Sequence, residues 1–214
     1  MLLTLIPKGF FSRQARKPEG IFGRYLMSYL FRKGNESLNG KVLGQMGLSE
    51  TDSILEVGFG PGSLIKAVAA NVTSGKVYGV DFSRAMLQSA CKLNQKNIDS
   101  GRVQLLFSDS IRLPFPDSSF DKLCTVNTLY FWPDPKQQLK EFLRVLKPAG
   151  KLVIGFRDSE TLESLKLDSQ IFNFYTSEEV AELLRQSGFD QVRLQQHPNI
   201  ALSSMIAEGC KAMS

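Results

Sequence analysis

The stretch Ile54-Leu55-Glu56-Val57-Gly58-Phe59-Gly60-Pro61-Gly62-Ser63 decides the fold. An apolar, β-type run enters a turn carrying three glycines, and a helical pattern leaves it. Gly58 and Gly60 let the backbone turn sharply and approach a ligand that a β-carbon would displace; Gly62 lets the helix start close to the strand. Such a turn gains weight only from its surroundings. Here Val77-Tyr78-Gly79-Val80 ends in Asp81, 23 positions after Gly58. A carboxylate at the end of the next strand can accept hydrogen bonds from both hydroxyls of a ribose.

Working outward, short β-branched runs alternate with longer helical stretches from residue 52 onward, the pattern of a parallel sheet covered by helices. Strands are expected at 54–57, 76–81, 103–107, 122–127, 152–156 and 191–195, with an antiparallel return strand at 203–207. Helices are expected from the glycine turn to about 71 and from the cap Ser83 to about 97. A third runs from the cap Asp134, with Pro135 at its first position, to 147, and a fourth from Thr176 or Ser177 to Gly188. The fold class is therefore α/β: a doubly wound, mostly parallel sheet with an antiparallel last strand and helices on both faces.

The loop also constrains the ligand. A dinucleotide fingerprint wants a third glycine where Ser63 stands, with backbone amides facing a pyrophosphate. Glu56 just before the turn would repel a pyrophosphate and suit a cationic amino acid, which points to an adenosine sulfonium.

The residues 56–62 resemble the first motif of class I S-adenosylmethionine-dependent methyltransferases, whose fold is Rossmann-like. Asp81-Phe82-Ser83-Arg84-Ala85-Met86-Leu87 is similar to that family's ribose-binding turn. The run from Phe107-Ser108-Asp109-Ser110 through Leu113-Pro114-Phe115-Pro116-Asp117 to Asp121 resembles the subgroup of ubiquinone and menaquinone biosynthesis C-methyltransferases. So does Leu143-Arg144-Val145-Leu146-Lys147-Pro148-Ala149-Gly150, in which Ala149 replaces the family's usual glycine. The resemblance implies S-adenosylmethionine as cofactor and no metal. Carried over, it sets Glu56 and the Gly58, Gly60 and Gly62 loop around the methionine part, Asp81 on the ribose and Phe82 or Met86 beside the adenine. Asp109 would accept from the adenine amino group, the Ser110 and Ile111 backbone would line the ring edge, and Asn127 would face the methionine amine and the transferring methyl.

Methyl transfer from a sulfonium asks mainly for positioning and exclusion of water, and needs a general base only if the acceptor must lose a proton. The segment Asn127-Thr128-Leu129-Tyr130-Phe131-Trp132-Pro133 should face the acceptor. It lacks the Asn/Asp-Pro-Pro-aromatic run that resembles nitrogen methylation of nucleic acid and protein, and it lacks carboxylates. A small, apolar or aromatic acceptor, lipid-like or quinone-like, is expected in a nearly uncharged pocket. Tyr130 is the candidate catalytic polar group and Asn127 a positioning group. Trp132 is read as packing or as a rim contact, and His197 as a solvated turn residue.

Composition separates the ends of the chain. Of 214 residues, 43% are hydrophobic and 22% charged, ordinary for a globular domain. The net charge is +5, yet residues 1–33 carry seven basic residues against one acid, a balance of +6, leaving −1 for the rest. Residues 1–47 are read as a basic, amphipathic helical arm, and residues 48–214 as the cofactor-binding domain. Within the arm, Ile21, Phe22, Tyr25, Leu26, Tyr29 and Leu30 should form one apolar face that packs on the main domain, covers the substrate pocket as a lid, or touches a membrane surface peripherally. Three cysteines without ligand spacing fit a reduced, cytoplasmic compartment. The basic arm leaves open an RNA methyltransferase, although nucleic acid is not the expected partner; a third alternative is a non-catalytic, cofactor-binding regulatory protein.

Overall fold

The structure, a computed structural model, describes residues 13–20, 23–164, 170–197 and 203–213. In chain order the elements are a π-turn at Gly23–Met27, α1 (Ser28–Met46), β1 (Ser53–Val57), α2 (Ser63–Asn71), β2 (Lys76–Asp81), α3 (Arg84–Asp99), β3 (Val103–Phe107), β4 (Phe120–Val126), a 3-10 turn at Leu129–Phe131, α4 (Pro135–Val145), β5 (Leu146–Phe156), α5 (Ser159–Ser164), α6 (Ser177–Ser187), β6 (Phe189–His197) and β7 (Ser204–Lys211). They build one seven-stranded sheet in the order β3-β2-β1-β4-β5-β7-β6. The pairs from β3 to β5 are parallel, and β7 runs antiparallel between β5 and β6. The doubly wound sheet with an antiparallel last strand is thus as the sequence predicts. The return strand is an interior one, which explains its almost unbroken burial.

The period-two alternation of β1 sorts the layers. Ile54 packs with Leu38, Val42 and Met46 of α1 and with the apolar stripe of α2, whereas Leu55 and Val57 pack with Leu139 and Phe142 of α4 and Leu184 of α6. The Leu38 and Val42 side chains approach the Cα of Gly155 so closely that a β-carbon there would lie 2.6 Å from Val42 Cγ2. The helix beginning at Ser28 is therefore integral to one layer of the sheet.

The caps are those the sequence predicts: Ser83 accepts from the Met86 N–H, Asp134 from Gln137, and Thr176 forms a capping box with Glu179. Some boundaries differ: β6 and β7 are longer than expected, and α4 stops at Val145 because Leu146 already pairs with Phe120 as the start of a long β5. Ala149, where the family has glycine, takes the left-handed φ of 60°. The 113–117 loop is clamped to α4 by Arg144, which donates to the Phe115 carbonyl and Asp117 and is bridged by Glu141. Glu141 in turn accepts from the Leu113 N–H at 2.7 Å.

The expected apolar face of the arm is corrected in part: Leu26 and Leu30 are half-buried and Leu30 lines the cavity at the sheet's carboxyl edge, but its two tyrosines face outward. The five-residue π-turn rotates the helix after it, so Met27 and Ser28 point inward while Tyr25 and Tyr29 are 63% and 53% exposed. Ile21 and Phe22 lie outside the described residues. His197 is corrected too: it ends β6 opposite Ser204, with Nε2 buried and without a hydrogen-bond partner among the described residues. Burial, aided by Lys41, lowers its pKa, so it is not a solvated turn residue.

Candidate active site

The strand order reverses between the parallel neighbours β1 and β4, and the crevice outside their carboxyl ends is where this architecture places ligands. A cavity of about 540 Å³ opens there. Its floor is the glycine turn. Gly60 has a φ of 52°, and nothing lies within 4 Å of the place a β-carbon would occupy; its N–H donates to Asp81 Oδ2 at 2.8 Å. Gly62 does not line the cavity, since it caps α2 and packs against Ala90 and Asn94 of α3.

Two carboxylates stand at the β1 and β2 ends. Glu56 is only 3% exposed and its Oε2 has no hydrogen-bond partner among the described residues. Burial, reinforced by the Asp81 charge, holds its carboxyl well above the ordinary carboxylate range. Burial also pushes Asp81 up to about 6, against the opposing effect of N–H bonds from Ser83 and Gly60. A buried, half-satisfied pair of acids is costly without a ligand and suited to one that donates hydrogen bonds or brings positive charge.

Phe82, Met86, Asp109 and Ser110 also face the cavity. Ile111 does not, although its N–H donates to Asp109 Oδ1 at 2.8 Å and so fixes that carboxylate. Ser110 is bonded to Gln138 of α4, which is 1% exposed and whose Oε1 has no partner among the described residues.

Beyond β4, Asn127 takes a left-handed φ of 54° and anchors a short network. Its Nδ2 donates to Asn35 Oδ1 of α1 at 2.9 Å, and its Oδ1 accepts from the Tyr130 hydroxyl at 3.0 Å. That hydroxyl accepts in turn from the Arg157 N–H at 2.5 Å. Tyr130 is buried and its pKa is raised by that burial, so its proton stays on. Phe131, Trp132, Leu162 and Phe172 complete an aromatic and apolar wall. Trp132 is buried, edge-on to Phe142, and not on a rim.

A family model described as a methyltransferase domain matches residues 55–154. The uncharacterized methyltransferase YdaC of Bacillus subtilis (strain 168) is 33% identical over 135 residues, which span 63% of this chain and 72% of that protein. The demethylmenaquinone methyltransferase of Staphylococcus aureus (strain JH9) is 30% identical over 182 residues, spanning 72% of this chain and 74% of that protein. The chain belongs to the S-adenosylmethionine-dependent methyltransferase family. In fold, the methyltransferase also matches a crystal structure of a SAM-dependent methyltransferase from Aquifex aeolicus, with a TM-score of 0.71 and 24% identity over 87% of this chain and 97% of that one.

S-adenosylmethionine is the cofactor of this methyltransferase, and the residues present fit it. The unpartnered Glu56 Oε2, the Asp81 carboxylate and the open face of Gly60 supply acceptors and space where an adenosine with a cationic amino acid needs them.

Sequence reasoning missed Asn35, Gln138 and Arg157. Gln138 had a readable signal, because it shares a helix face with Phe142 and Val145 and is a polar residue at a core position. Arg157 had another, following the apolar run 152–156 at the ligand-binding end of a strand. Asn35 had none, since only the docking of α1 brings it to Asn127. The pocket is also less uncharged than expected, as Arg16 and Arg157 both line it.

Proposed function

We propose that this methyltransferase acts on a small, apolar or aromatic acceptor held between Asn127 and the wall formed by Phe131, Trp132, Leu162 and Phe172. The observation that carries this reading is that wall: aromatic, buried, and free of carboxylates on the β4–β5 side of the cavity. A volume of about 540 Å³ must hold cofactor and acceptor together, which favours a small acceptor. One relative is named for demethylmenaquinone, which supports a quinone-like member of this class.

When bound, the cofactor supplies a methyl group already activated on a sulfonium. The residues position it. Asp81 accepts from the ribose hydroxyls, Glu56 and the Gly58–Gly60 turn surround the methionine end, and Gly62 sets the course of α2 beneath it. Phe82 and Met86 flank the adenine, with Asp109 and the Ser110–Ile111 backbone at its amino edge. Asn127 orients the methionine amine and the methyl, and Tyr130 holds Asn127 in its left-handed conformation through the 3.0 Å bond. No general base is assigned. The arm acts as the lid: Ala15, Arg16 and Pro18 line the cavity, and the Pro18 carbonyl accepts from Ser83 Oγ at 2.7 Å. Closing that side excludes water from the transfer.

The test is isotope-labelled methyl transfer into cell extracts separated into lipid, nucleic-acid, protein and small-molecule pools. Label should enter the lipid or the small-molecule pool and disappear with Asp81→Ala. Label confined to RNA would overturn the reading, as would a lack of label in every pool.

A further inference from the structure

The acids lining the cavity stand on one side of it: Glu56 and Asp81 near the ends of β1 and β2 and Asp109 after β3, while Arg157 follows β5, on the far side of β4. Arg157 is the first residue beyond β5, held at the crevice by its own N–H on the Tyr130 hydroxyl. Its guanidinium is poorly satisfied. Nη2 reaches the Gly34 carbonyl at 3.3 Å, and the buried Nε has no hydrogen-bond partner among the described residues. The adjacent Asp158 makes no ion pair with it, and its Oδ1 accepts from the Thr161 N–H near the start of α5. Among the described residues no carboxylate lies within ion-pair distance of Arg157, or of Arg16, the second guanidinium lining the cavity.

A guanidinium offers five donors in a planar fork, and one carbonyl occupies one of them. The bond to Gly34 thus leaves most of the donor fork of a residue that lines the cavity, beside Phe131, Leu162 and Phe172, unassigned. We propose that the acceptor carries an anionic oxygen group, a carboxylate or a phosphate monoester, seated on Arg157 at the β5 end of the cavity. This rests on the small-acceptor reading above and narrows it.

The test titrates the S-adenosylhomocysteine-saturated protein with benzoate, phenyl phosphate and benzamide by calorimetry. One of the two anions should bind about tenfold or more tighter than the neutral amide, and which one does so distinguishes carboxylate from phosphate. Arg157→Gln should abolish that preference while leaving the affinities for benzamide and S-adenosylhomocysteine within about twofold, and Arg157→Lys should restore part of it. The comparison of three probes on the unaltered protein stands even if a variant fails to fold. Equal binding of anion and amide, or a preference that survives in Arg157→Gln, overturns the anion subsite alone. Failure of all three probes to bind protein that still takes up S-adenosylhomocysteine overturns the small aromatic acceptor as well.

Discussion

Glu56 and Asp81 set a pH dependence whose sign comes from their environment. Each has a folded-state pKa raised above its ordinary value, so over the intervening window the folded form holds more protons than the unfolded one and stability falls as pH rises. For Asp81 the window runs from 3.8 to about 6, and the cost above it is about 3 kcal/mol. Glu56→Gln keeps an oxygen for the Ile65 N–H and removes the buried charge. The ligand-free variant should therefore melt higher than the parent at pH 8 and equally near pH 4, while its cofactor affinity drops about tenfold or more. Thermal melts at the two pH values and calorimetry with S-adenosylhomocysteine check both halves. Ala149 offers a second test away from the site. Its left-handed φ of 60° is strained for a residue with a β-carbon, so Ala149→Gly should stabilise by about 1 kcal/mol, measured by denaturant unfolding, with turnover unchanged.

At the scale of elements, the caps and strand identities were legible because they depend on local chemistry. Ser83, Asp134 and Thr176 satisfy orphan amides within three residues of themselves, and β1 and β2 read directly as β-branched runs. The arm was legible only as far as its amphipathicity. A π-turn shifts the inward face by less than one turn, and no propensity announces it. The same geometry says where the lid can be cut. Met27 and Ser28 are buried and Leu38 and Val42 belong to the core, so truncation must stop before them. Removing residues 1–20 should leave S-adenosylhomocysteine affinity within a fewfold and reduce methyl transfer about tenfold or more, because Pro18 and Arg16 leave the cavity wall. Unchanged turnover in the labelled-transfer assay would show that this segment is not the lid.

Over the whole molecule, the cavity binds a ligand that the unfolded chain cannot, so S-adenosylhomocysteine should raise the melting temperature by an amount that grows with its concentration, and NAD should not. Stabilisation by NAD would contradict the sulfonium argument built on Glu56. The basic balance of +6 in residues 1–33 predicts at most salt-sensitive, nonspecific RNA binding, checked by titration at low and physiological ionic strength. Among the described residues no helix is long and apolar enough to cross a membrane. The sequence by itself determined the sheet, the glycine turn, the acids at its edge and hence the cofactor, because each is a contact between a strand end and the turn directly after it. Only the tertiary structure decided which groups stand opposite. Asn35, Gln138 and Arg157 come from three parts of the chain far from one another, and they meet Asn127, Ser110 and Tyr130 respectively because α1, α4 and β5 pack around one crevice, a convergence that no local pattern encodes.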